Sequence, residues 1–113
     1  MAAAVGLGAF GAHGLRDRLD AYSMSVYEKA VFYHFVHALG ILLIAALARS
    51  TAITVGGQGI SSWLLFLGII LFSGSLYALA ISGVRALGAV TPIGGIAFIA
   101  GWLVLVYDAL QKR

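Results

Sequence analysis

Three near-continuous apolar stretches constrain this chain more than any other feature: Ala30 to Ala48, Ile60 to Ser82, and Val90 to about Leu110. A helix crossing the roughly 30 Å hydrocarbon core of a bilayer needs about 20 apolar residues. Backbone groups in hydrocarbon must satisfy their own hydrogen bonds, so such stretches cross as helices. Each stretch is closed by charge or glycine: Arg49 after the first, Gly83 and Arg85 after the second, Lys112 and Arg113 after the third.

Composition agrees. Of 113 residues, 62% are hydrophobic and 10% charged, against about half and a quarter in soluble domains. A soluble domain this small buries only about two-thirds of its unfolded surface, too little to hide that excess. The lipid bilayer is therefore the expected partner. The net charge of +3 does not point to nucleic acid, because the basic residues are scattered and form no stripe that could follow a phosphate backbone. They suit anchors at the lipid headgroups. The chain has no cysteine, which excludes disulfides, thiolate metal sites and cysteine catalysis.

Met1 to Ala12 is apolar but too short to span, and no basic segment precedes it as in a signal peptide. It reads as the second half of a first transmembrane helix, either short in fact or cut by a late start; the short helix is the expectation. The fold expected is all-α: an integral membrane four-helix bundle in one domain, residues 1–113, with helices at about 1–14, 25–48, 60–82 and 91–110. Ser25 and Glu28 have capping-box spacing, which predicts a helix start near Ser25. Thr91-Pro92 predicts the last start, with Thr91 as N-cap. "VGGQG", residues 55–59, reads as a flexible turn.

Alternation of the helices puts Arg16, Arg18, Lys29 and Arg85 on one side and Arg49, Lys112 and Arg113 on the other. Four against three sets no orientation by the positive-inside rule. The same alternation puts His13, His34 and His37 in one half of the bilayer. His34 and His37 lie about one and two turns in, at a level shared with Tyr77, Ser82 and Thr91.

Helices in lipid associate through close packing of small residues. Ala4, Gly8 and Ala12 form such a stripe on the first helix, Gly74, Ala78 and Ser82 on the third, and Gly94, Ala97 and Gly101 on the fourth. On the second helix, Tyr27, Ala30, Tyr33, His34, His37, Ala38 and Ile41 share one face at 100° per residue, while Phe32, Phe35, Val36, Leu39 and Leu43 face lipid.

Buried imidazoles need partners. The simpler role for them is interhelical hydrogen bonding to Tyr, Ser, Thr or carbonyl oxygens. The sharper role is a ligand site built from His13, Tyr33, His34, His37, Tyr77 and Thr91, taking haem, a metal ion or a quinone headgroup. No single cofactor is singled out, and no carboxylate joins the histidines, so the metal signature is weak. Asp108 and Lys112 read as a solvated i, i+4 pair. Arg16-Asp17-Arg18 reads as a hydrated turn, and Trp63, Trp102 and Tyr107 as interfacial or packing aromatics. Ser73 and Ser75 are expected to bond back to their own helix. No Ser–His–acid arrangement is legible, so hydrolase chemistry is not expected.

Four segments in order resemble a known family: "LGAFGAHGL" at 7–15, "YEKAVFYHFVHALGILL" at 27–43, "LFSGSLYALA" at 71–80 and "TPIGGIAFIAGWLVL" at 91–105. The chain resembles the bacterial domain-of-unknown-function family 423, related to transmembrane protein 256 of animals, over nearly its whole length. The resemblance implies four transmembrane helices in the bacterial inner membrane; it does not imply an activity. It stresses His13, Tyr33, His34, His37, Ser73, Gly74, Ser75, Tyr77, Thr91, Pro92, Gly94, Gly95 and Trp102. Similar proteins usually have a longer first helix.

The function expected is a non-enzymatic accessory or scaffold subunit that self-associates or packs in a larger membrane complex. The alternatives are a haem-, metal- or quinone-binding module built on the histidines, and a small oligomeric transporter.

Overall fold

The computed structural model describes residues 1–112. They form four helices: α1 (Ala2–Leu15), α2 (Ala21–Arg49), α3 (Val55–Ser82) and α4 (Thr91–Gln111). A short 3₁₀ segment, Arg85–Ala89, precedes α4. The last three helices have the length and hydropathy of membrane spans, while α1 is apolar but shorter. This is the four-helix membrane bundle expected, with the expected short first helix.

Boundaries moved where a better cap lay upstream. α2 begins at Ala21, not near Ser25, because the Asp20 carboxylate accepts a hydrogen bond from the Ser23 backbone N–H at 2.7 Å. Bonds from the Ser23 backbone and then its side chain hold the Asp20 carboxyl below the usual carboxylate range. Ser25 and Glu28 are exposed residues inside the helix. At 29 residues α2 is about 43 Å long, so its first turns project beyond the hydrocarbon.

Residues 55–59 are not a turn. They open α3, with Thr54 as N-cap: its Oγ1 accepts from the Gly57 N–H at 2.9 Å. Gly57 is required there, since a Cβ would overlap the Asp108 carboxylate of α4. That carboxylate accepts from the Thr54 N–H at 2.7 Å and the Thr54 hydroxyl at 2.6 Å. Lys112 donates to the Ile53 carbonyl at 2.9 Å. So Asp108 and Lys112 are not the solvated pair expected; both clamp the α2–α3 connection. α3 stops at Gly83, whose φ of 71° is the left-handed conformation that ends helices cheaply at glycine.

Thr91 also departs from expectation. It is the first residue of α4 behind Val90, with Pro92 in the first turn. Its hydroxyl reaches α3 instead of capping α4: Thr91 Oγ1 lies 2.6 Å from Ser75 Oγ.

Two π-turns, Gly11–Leu15 in α1 and Ile69–Ser73 in α3, shift the helical phase. Each inserts one residue, about 100° of rotation, into a regular 3.6 repeat. The small-residue stripe of α1 runs into the first of them and fails at its far end. Ala4 is fully buried and Gly8 faces Val31, but Ala12 is exposed, and Gly11 and Leu15 point inward instead. The α3 stripe, which lies wholly after the second π-turn, does not face the bundle: Gly74 is half-buried, with only the Ile69 carbonyl oxygen near a Cβ position, and Ala78 and Ser82 are exposed, while Leu76, Leu79 and Ala80 are buried. The uninterrupted α4 keeps its stripe. Gly94, Ala97 and Gly101 are buried, and a Cβ on Gly94 would strike the backbone of Leu71 and Phe72.

The core has two parts. Leu15, Tyr27, Ala30, Leu76 and Leu79 belong to one, and Ala38, Ile44, Leu65, Ile69, Phe98 and Leu105 to the other. Phe72 packs against both. On α2 the histidines fall between Ala30 of one cluster and Ala38 of the other. On α3, Ser73 falls between Ile69 and Leu76. Polar side chains of α2 and α3 thus lie where the two clusters meet, with Phe72 joining them.

Candidate functional site

The buried face of α2 carries Tyr27, Ala30, His34, His37, Ala38 and Ile44, and Phe32, Val36, Leu39 and Leu43 are exposed. The helical period alone sets this arrangement. His34 is 9% exposed and His37 6%, yet the two rings serve different neighbours. His34 Nδ1 lies 3.1 Å from the Tyr77 hydroxyl on α3. His37 Nδ1 donates to the Tyr33 carbonyl one turn back in α2, at 2.7 Å. A carbonyl only accepts, so Nδ1 carries a proton; in the neutral ring Nε2 is then the acceptor. The His37 ring lies flat on Phe98 of α4, with centroids 3.5 Å apart and planes 13° apart.

Ser75 donates to the Phe72 carbonyl at 2.9 Å, the back-bond expected of it. Its single proton is used there, so the Thr91 hydroxyl donates to Ser75 across the α3–α4 contact. Ser73 does not back-bond: its Oγ is buried without a partner, as is that of Ser61.

The six candidate ligand residues are only partly gathered. His34 and Tyr77 share a crevice, and Thr91 bonds to Ser75 on α3. Tyr33 is at the edge, its ring packed on Phe72 with centroids 4.4 Å apart. His13 is exposed at the end of α1. Among the described residues no group of three His, Cys, Asp or Glu could hold a metal ion, so the three histidines do not form one ligand set.

The crevice encloses about 500 Å³ between α1, α2 and α3. Ala3 and Leu7 line it from α1, His34 and Ala38 from α2, and Gly74 and Tyr77 from α3. Sequence reading missed how it is closed. Tyr27, 1% exposed, hydrogen-bonds the Leu7 carbonyl and sets its ring edge-on to Tyr77, with centroids 5.2 Å apart. The signal was Gly11: a Cβ there would overlap the Tyr27 ring.

A lipid-facing exterior, three spanning helices and buried polar side chains define a small polytopic helical membrane protein. The chain belongs to the family described as "Protein of unknown function (DUF423)", whose model matches residues 7–95. It is 56% identical to a "UPF0382 membrane protein" of Staphylococcus epidermidis, over 96% of this chain and 86% of that protein. It is 46% identical to the "UPF0382 membrane protein YwdK" of Bacillus subtilis, over 96% of this chain and 87% of that protein. No solved structure matches it. The relatives are bacterial membrane proteins, and the setting of this chain is the bacterial plasma membrane.

Proposed function

We propose that this protein is a non-enzymatic accessory subunit that acts in the plane of the membrane by self-association through α3. The observation that carries the reading is an uncovered groove of about 770 Å³ along the first half of α3, lined by Gly56, Gly59, Ile60, Trp63 and Leu67. A Cβ on Gly59 would meet nothing, and Trp63 is 71% exposed. Small residues on a lipid-facing surface let a second backbone approach closely, which is how helices associate where the hydrophobic effect is absent. The short connections between α1, α2, α3 and α4 also leave little mass outside the bilayer for other chemistry.

Native mass spectrometry of gently extracted protein tests this. The expected result is a homo-oligomer that Gly59→Ile dissociates without loss of helicity. A protein that is monomeric at every detergent-to-protein ratio, or an oligomer indifferent to Gly59→Ile and Trp63→Ala, contradicts it.

A further inference from the structure

We infer that the crevice between α1, α2 and α3 is a binding site for a neutral, ring-headed amphiphile of the quinone class, held by the His34–Tyr77 pair. This inference is independent of self-association, since the crevice and the outer groove of α3 are lined by different helix faces apart from Phe66 and Ile70.

Four observations converge on it. First, hydrogen-bond capacity is left over. If the Tyr77 hydroxyl donates to His34 Nδ1, then Nε2–H remains a donor and the phenol oxygen an acceptor. If Nδ1–H donates to Tyr77, the phenol O–H remains a donor and Nε2 an acceptor. In either arrangement the pair holds one unused donor and one unused acceptor at the wall of the cavity. A quinone carbonyl accepts from the donor, and a quinol hydroxyl gives to the acceptor.

Second, no Asp, Glu, Lys or Arg side chain is among the residues lining the crevice, and the Met1 α-amino group lies at its α1 end. A cationic headgroup would meet that like charge, and an anion could only accept from the His34–Tyr77 pair, whereas a neutral quinol both accepts and donates. The ligand is therefore neutral.

Third, the shape suits a flat head and an aliphatic tail. Gly74 leaves a smooth wall beside the Tyr77 ring, and a Cβ at position 74 would come no closer than 3.9 Å to the Ile69 carbonyl oxygen. Leu42, Phe66 and Ile70 line the other end and are about half exposed, so the crevice opens sideways to lipid. Its size falls in the range of small-molecule sites, about 300–1,000 Å³.

Fourth, the wall is built on the π-turn Ile69–Ser73, with Ile69 and Ile70 inside the turn and Gly74 just after it. Single π-turns inside α-helices occur frequently at functional sites.

The test is a titration of the full chain in lipid nanodiscs with a decyl-tailed 1,4-benzoquinone, followed by the side-chain ¹⁵N resonances of the histidines. The expected result is a saturable shift of His34 with His37 unmoved. Tyr77→Phe weakens binding about fivefold, the loss of one hydrogen bond. Gly74→Leu fills the cavity and abolishes the shift while the melting temperature holds. If Gly74→Leu fails to fold, Leu42→Trp at the lipid-exposed mouth supplies the same block.

The inference is overturned by no saturable response, by equal shifts at both histidines, or by folded blocked variants that still respond. An equal response to a decyl-tailed glycerol ester, which lacks the ring, overturns the ligand class.

Discussion

Asp108, near the end of α4, accepts two hydrogen bonds from Thr54, one from its backbone N–H and one from its hydroxyl. Thr54 in turn caps α3 through Gly57. One carboxylate thereby sets the start of one helix against the end of another, at the membrane end opposite the histidines.

Thr54→Ala removes the α3 cap and one bond to Asp108. Loss of a side-chain N-cap costs about 1 kcal/mol, up to about 2. Unfolding in detergent is expected to show that loss, with faster amide exchange over residues 51–58. Thr54→Ser keeps both bonds and is expected to match the parent.

Gly94 and Gly59 are predicted to respond oppositely to alanine. The Cβ at position 94 strikes the backbone of α3, which cannot give way like a side-chain tip. Overpacking typically costs about 1–3 kcal/mol, and a backbone clash falls at or above the top of that range. Gly59→Ala meets open space within its own chain, so unfolding of the monomer is expected to be unchanged or slightly harder, while self-association through α3 weakens.

Thr51 carries a φ of 64°, which a β-branched residue adopts only under strain. Asn tolerates the left-handed conformation better. Thr51→Asn is expected to stabilise the protein by about 1 kcal/mol, read as a higher melting temperature.

The Asp20 cap gives a pH dependence with a defined sign. Its folded pKa is lowered, so its stabilisation is fully present above the ordinary carboxylate value and is lost as pH falls through the lowered one. Acid titration of Asp20→Asn against the parent is expected to show a smaller stability loss in the variant below about pH 4.

Long-range order was legible in the sequence where one helical period ran unbroken. The buried stripe of α4 and most of both faces of α2 follow from residue spacing, but Tyr33, expected inward, is exposed, and Phe35, expected toward lipid, is half-buried beside Gly8 of α1. Ala12 was misplaced because it falls inside a π-turn, a backbone event with no distinctive residue pattern; Gly74 and Ala78 have the spacing of a packing stripe, but Leu76, Leu79 and Ala80 hold the buried face of that helix. Ser25–Glu28 matched a cap motif, but Asp20 stood nearer the break and took the role. Glycine at 57 reads as a turn in sequence; only the approach of Asp108 shows that it is a contact. His34 and His37 were legible as buried, whereas their division between α3 and α4 partners depended on the angle at which those helices cross.

The central claim is that α2 turns its imidazoles into the bundle and its bulky apolar residues to lipid. The chain has no cysteine, so single-cysteine spin labels along residues 30–44 in liposomes read it without background. Oxygen accessibility is predicted to peak at positions 32, 36, 39 and 43 and to fall at 30, 34, 37, 38 and 44. A flat profile, or maxima at 34 and 37, would contradict the account.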